Sequence, residues 1–163
     1  MLLQRPIQPQ DWSTILDIQA ECYQDFEPER LEVLQSKANI IDDSCFVIEH
    51  NQQIVGYCLA HPWQSMHPPA LDQVIIAHAS PDCLYLHDMA ISAKARGLGA
   101  GSFAIQHLFQ LAQQLGYHKM ALIAVQGADK YWQKFGFEIV AIDKCLRCYT
   151  DDAVYMQLTL TQA

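Results

Sequence analysis

The sequence predicts a single α/β (α+β) domain spanning residues 1–163, with a mixed central sheet of about seven strands and helices on both faces. Three observations predict it. A chain of 163 residues with 51% hydrophobic content is long enough for one ordinary core and too short for two. Its apolar pattern switches repeatedly between a period of 2 and a period of 3.6, in the order β, α, α, β, β, β, α, β, α, β, β. A helix joins the apolar runs Cys83 to Ile91 and Lys119 to Val125, which implies a parallel crossover in a sheet that elsewhere contains hairpins.

The elements follow in chain order. Leu2 to Ile7 alternates as a first strand, and Asp11 stands at an N-cap position before Trp12, Ile15, Leu16 and Ile18 at helical spacing; that helix ends near Cys22. Pro28 opens a second, short helix through Leu31, Val33 and Leu34. Cys45 to Glu49 and Ile54 to Ala60 flank the polar turn "HNQQ" and read as a hairpin. The next stretch, from His61 to Asp82, holds four prolines and reads as a long loop with one helical turn near Leu71 to Ile76. After the strand Cys83 to Ile91, an amphipathic helix runs from Gly99 to Leu115 with Gly116 as its stop. "KMALIAV" is a strand buried on both faces, a short helix covers Ala128 to Phe135, and Phe137 to Ile142 and Ala153 to Thr159 complete the strands.

Eighteen acids against ten bases give a formal charge of -8, which excludes a surface built to neutralise nucleic acid or an anionic membrane. "MLLQRPIQPQDW" lacks a secretory core, and no apolar run approaches the roughly 20 residues that span a bilayer, so a cytosolic (cytoplasmic) protein is expected. The six cysteines then read as free thiols; Cys145 and Cys148 form one C-x-x-C, but no second pair completes a zinc site, so no metal is expected.

Most chemistry is expected around "LYLHDMAISAKARGLGAGSFAI", where Gly97, Gly99 and Gly101 lie between a strand and a helix. Glycines at a helix N-terminus let a phosphate approach unpaired backbone N–H groups at the positive end of the helix dipole. A Walker A loop is excluded because no Gly-Lys-Ser/Thr follows, and a dinucleotide fingerprint because Ser102 replaces its third glycine and no acid stands about 20 residues on.

What remains, Arg96-Gly97-Leu98-Gly99-Ala100-Gly101, resembles the Q/R-x-x-G-x-G/A acetyl-CoA loop of the GNAT N-acetyltransferases. "YWQKFGF" resembles that family's second signature, and the order of elements extends the resemblance over nearly the whole chain. The resemblance implies a sheet splayed between its fourth and fifth strands and acetyl-CoA as cosubstrate. Backbone groups of Met89, Ala90 and Ile91 would pair with pantetheine, residues Gly97 to Ser102 (Gly97, Leu98, Gly99, Ala100, Gly101 and Ser102) would cradle the pyrophosphate, and Arg96, Trp132 and Phe135 would also contact the coenzyme. The Met89 N–H would be the oxyanion donor. Homodimers are common in the family.

Attack on a thioester needs a neutral amine, hence a base. His87 is the first candidate, because regular alternation places it on the face of Met89 and an imidazole titrates near neutrality; Tyr85, two residues back, is a weaker one. Asp88 then faces the other way unless a bulge intervenes. Where many family members carry a tyrosine acid, this chain has Trp132, and the adjacent Tyr131 lies about 100° around the helix.

By resemblance, Tyr23, Phe26, His61 and Trp63 wall the acceptor site. Six acids between Asp17 and Glu32 against one base make its mouth attractive to an ammonium. The expected acceptor is a small primary amine, cationic or amino-acid-like. A protein or peptide N-terminus, or a non-catalytic coenzyme A sensing module, are the alternatives.

Overall fold

The computed structural model describes residues 1–25, 27–143, 146 and 149–160. Strands β1 (Leu2–Pro6), β2 (Cys45–His50), β3 (Gln53–Trp63), β4 (Cys83–Ile91), β5 (Lys119–Ala124), β6 (Glu138–Ile139) and β7 (Val154–Thr159) form one sheet. Their spatial order is β1-β2-β3-β4-β5-β7-β6, antiparallel except for the parallel β4–β5 pair. Helices α1 (Trp12–Cys22) and α2 (Leu31–Ala38) cover one face, and α3 (Ala100–Gln114) and α4 (Asp129–Gln133) the other.

The two cores follow from strand alternation. Tyr57 and Leu59 point toward Ile15, Ile18 and Leu34 of α1 and α2. Their neighbours Cys58 and Ala60 point toward Ala104, Ile105 and Leu108 of α3. β5, in the middle of the sheet, has Met120, Ala121 and Leu122 buried, as its unbroken apolar run requires. Gly116 ends the α3 segment at φ +82°, and Gly136 follows the α4 segment at φ +102°.

Several expected boundaries move. Asp11 does not cap α1: it closes a 3-10 turn at Pro9–Asp11, accepting the Gln8 N–H at 2.7 Å, and its carboxylate is held by Arg5 at 2.7 Å. α2 begins at Leu31, after Pro28: Arg30 is extended, and the backbone N–H groups of Glu29 and Arg30 donate to Gln19 of α1 and to Asp72 of the following loop. β3 continues through Pro62 to Trp63. β2 ends opposite Leu59, so the far half of β3 has a neighbour on one side only, where proline is tolerated. No helical turn forms at residues 71–76, and β6 shrinks to two residues. The expected C-x-x-C pair lies outside the described residues.

Candidate active site

β4 and β5 pair only over Leu84–Leu86 and Met120–Leu122, after which they diverge. The gap opens into a cleft of about 370 Å³. Its walls come from the second half of β4, from residues 122–128, from Tyr131 and Trp132 of α4, and from Cys22 and Tyr23 at the end of α1. The Ser92 N–H donates to Val55 of β3 at 2.7 Å, so along the alternating ladder Met89 and Ile91 turn their backbone groups away from β3 and toward the gap. The carbonyls of these two residues accept from the Tyr23 hydroxyl at 3.0 Å and the Cys22 thiol at 3.4 Å.

A β-bulge sets the side chains. Leu59 lies opposite Asp88 but Ala60 opposite Leu86, so His87 is the extra residue on β4. This corrects the expectation that His87 shares a face with Met89. Leu86 and Met89 both face α3, whereas His87, Asp88 and Ala90 turn to the face that α1 and α2 cover, and Tyr85 lies on that same face in a separate cluster with Cys83, Ala121 and Tyr155.

On that side His87 Nε2 lies 2.7 Å from Glu29 Oε1, with both side chains almost fully buried. Glu29 is fixed by neighbours: its second oxygen accepts the Asp72 N–H at 2.9 Å, and its backbone exchanges hydrogen bonds with the Gln19 side chain at 3.0 and 3.2 Å. Burial pushes the Glu29 carboxyl upward, but His87, the Asp72 N–H and Lys37 outweigh it and hold the group below the usual carboxylate range. An ionised Glu29 can only accept, so a neutral His87 carries its proton on Nε2 and keeps a lone pair on Nδ1, which has no protein partner.

Asp88, also buried, accepts the Tyr57 hydroxyl at 2.6 Å through Oδ2 and leaves Oδ1 without a partner. Burial raises its pKa to about 6, against the opposing effect of the Tyr57 hydrogen bond, the nearby Tyr23 hydroxyl and the neighbouring His87 ring. His61, likewise buried, is depressed to about 3 by burial and by His87, and is therefore neutral.

On the α3 side, Gly99 adopts φ +74° as the N-cap with no side chain closing the helix end. Leu98 donates its N–H to Ala95, so the first-turn N–H groups that follow it remain available at an exposed loop. That donor set suits a pyrophosphate, and the polar edge of β4 suits an amide-bearing arm. Arg96, Gly97, Leu98 and Ser102 are exposed beside it, and Ala100 is buried.

Tyr131 lines the cleft with its hydroxyl packed against Gly101, and a Cβ there would also lie 3.3 Å from the ring. Gly101→Ala is therefore expected to destabilise the protein by about 1 kcal/mol, the worth of the displaced aromatic contacts to Trp132 and Phe135. With Tyr131→Ala already in place it should stabilise by a few tenths to about 1 kcal/mol, as Gly to Ala does in a helix. Denaturant titrations giving the same sign in both backgrounds would refute this packing.

The expected site residues divide. Met89, Ala90, Ile91, His87, Tyr131, Trp132 and Tyr23 all line the cleft. Tyr85, Trp63 and His61 do not: the His61 ring lies 5.6 Å from Tyr85 and edge-on to Trp63 at 5.2 Å, and His61 and Tyr85 each lie 6.3 Å from the His87 ring. Phe135 packs on Tyr131 outside the lining, and Phe26 lies outside the described residues. Sequence reasoning missed Glu29, one of six acids without a distinguishing mark, and Lys37, whose buried ammonium donates to the Gln73 carbonyl at 2.7 Å. It also missed Asp88, whose side depended on a bulge that no residue type announces.

Among the described residues, no helix is long and apolar enough to cross a membrane, and no three His, Cys, Asp or Glu side chains group as metal ligands. A family model described as "Acetyltransferase (GNAT) family" matches residues 12–137. No curated protein matches the sequence. Solved structures with this fold include the ribosomal-protein-S18-alanine N-acetyltransferase from Escherichia coli, at 16% identity over 100% of this chain and 96% of that one, TM-score 0.72. Ard1 from Thermoplasma volcanium shares 15% identity over 99% of both chains, TM-score 0.76. N-acetylglutamate synthase from Neisseria gonorrhoeae, complexed with coenzyme A and N-acetyl-glutamate, shares 13% over 99% of this chain and 36% of its own, TM-score 0.75. At these identities the likeness is one of fold.

Proposed function

We propose, for a chain that belongs to the GNAT family of acetyltransferases, the transfer of an acetyl group from acetyl-CoA to a primary amine on a small molecule. The observation that carries this reading is a cleft between the diverging β4 and β5 that brings the edge of β4 to a buried His87–Glu29 pair whose Nδ1 has no partner, with the uncapped α3 terminus on the exposed loop that follows the same strand.

Gly97 to Ser102 would hold the pyrophosphate, and the Met89 and Ile91 edge the pantetheine arm. The bound cosubstrate supplies the acetyl group as an activated thioester. His87 Nδ1 takes a proton from the acceptor ammonium, with Glu29 fixing the tautomer and orientation of the ring. The neutral amine then attacks the thioester carbonyl. The Met89 N–H, facing the gap, stabilises the charge that develops on the carbonyl oxygen, a donor worth about 3 kcal/mol in comparable sites. As the tetrahedral adduct collapses, the C–S bond breaks and coenzyme A leaves as a thiolate, whose thiol pKa near 8.5 lets it depart without a protein acid, while the second nitrogen proton passes to solvent or to the departing sulfur.

Tyr131→Phe should accordingly keep turnover within about threefold, because its hydroxyl is directed at Gly101; a hundredfold loss at unchanged Michaelis constants would make Tyr131 the acid. A small acceptor is favoured over a peptide by the loop between β3 and β4. That loop is drawn over the acceptor end by Arg30 to Asp72 at 3.1 Å, Lys37 to Gln73, and the Tyr149 hydroxyl to Pro69 at 2.6 Å. Thiol release from acetyl-CoA, measured across small amines and free peptide N-termini, tests the proposal. Release with small amines supports it, release with peptides alone replaces the acceptor, and coenzyme A binding without release leaves a sensing module.

A further inference from the structure

The acceptor end of the cleft holds two adjacent acceptor-bearing side chains with unsatisfied atoms. His87 Nδ1 and Asp88 Oδ1 are both buried, both belong to cleft-lining residues, and neither has a protein partner. Regular alternation would separate neighbouring residues to opposite faces; the bulge at His87 brings these two to one side. Buried acceptors left open in this way call for a ligand that donates more than one N–H.

The remaining wall is largely apolar, from Leu71, Leu86, Leu122, Ile123, Tyr23 and Tyr149. The charged and titratable groups around Asp88 include Tyr57 and Cys58 from β3, Cys22 at the end of α1, Tyr23 after it, His87 beside it, Glu29 before α2 and Lys37 from α2. The Lys37 ammonium donates to Gln73 in the loop.

Resting on the acetyltransferase reading, we propose that Asp88 is the anchor for the acceptor's ammonium group, and that the acceptor is an apolar-tailed primary amine without an α-carboxylate. An ammonium held by Asp88 Oδ1 offers a second N–H to His87 Nδ1, so one residue binds the nitrogen while its neighbour deprotonates it. An α-carboxylate would be forced within a few ångströms of both Asp88 and Glu29, in a site whose burial strengthens the repulsion. Amino acids are thus rejected by the groups that attract their decarboxylated counterparts.

The test pairs tyramine with tyrosine, phenethylamine with phenylalanine, and isoamylamine with leucine. Binding of each to the protein saturated with coenzyme A is followed by calorimetry, and thiol release from acetyl-CoA is measured in parallel. At least one amine should bind ten times more tightly than its amino acid or better. Asp88→Asn should bring that ratio within threefold, while Asp88→Glu retains a preference. Equal or tighter binding of the amino acids, no binding of any of the three amines, or an unchanged ratio in Asp88→Asn overturns the proposal. The wild-type ratio is decisive even if the variant does not fold. Amine binding with the stated preference but no thiol release would refute acetyl transfer and leave the anchor standing; thiol release with tyrosine as efficient as with tyramine would do the reverse.

Discussion

His87→Ala is expected to lower kcat by a hundredfold or more, with the Michaelis constant for acetyl-CoA changed by less than threefold. General-base catalysis is typically worth 10²–10⁴ in rate, and His87 lies on the far side of β4 from the α3 loop that would hold the coenzyme. Glu29→Gln should cost roughly ten- to a hundredfold, because an amide can offer an N–H as well as an oxygen and no longer fixes the proton on Nε2. Free imidazole added to His87→Ala should restore part of the rate; Glu29→Gln should not respond, since its ring is still present. A kcat for His87→Ala within threefold of wild type would remove His87 from the chemistry and pass the base role to Asp88.

The two halves of this site were unequally legible in the sequence, and the reason is physical. The α3 loop is written locally: consecutive glycines, their spacing from a strand and the helix behind them suffice to place backbone donors, because backbone geometry depends on near neighbours. The parallel crossover follows from the order of elements, whereas the divergence of β4 from β5 was implied by the family resemblance alone. The acceptor half is not local. Glu29 meets His87 across 58 residues of chain, Lys37 meets Gln73 across 36, and Tyr57 meets Asp88 across 31, so none of these pairs leaves a spacing to read. One inserted residue on β4 then exchanges the faces of everything before it, and that register slip has no signature in residue type. The aromatics His61 and Trp63, prominent in sequence, turn out to lie outside the cleft lining, His61 beside His87 and Trp63 edge-on to His61.

The pH dependence of stability should carry the mark of Asp88. Its folded-state pKa, raised from 3.8 to about 6 chiefly by burial, means that the native protein holds this proton more tightly than the unfolded chain does. Below about pH 4 the carboxyl is protonated in both states and burial costs nothing through ionisation. Between pH 4 and 6 the unfolded chain ionises first, so stability falls with rising pH, and above pH 6 the loss is complete at about 3 kcal/mol. Glu29 and Asp11, held below their ordinary values by His87 and Arg5, act with the opposite sign, but they are present in wild type and variant alike. Asp88→Asn, which can still accept the Tyr57 hydroxyl, should therefore gain on wild type by about 3 kcal/mol between pH 4 and pH 6.5 and keep a constant difference above that. Urea titrations of both proteins at half-unit pH steps measure that difference directly. A difference that stays flat across the interval would mean that Asp88 ionises as readily in the fold as out of it, and with that the buried, half-satisfied carboxylate at the head of the acceptor cleft would lose its distinguishing property.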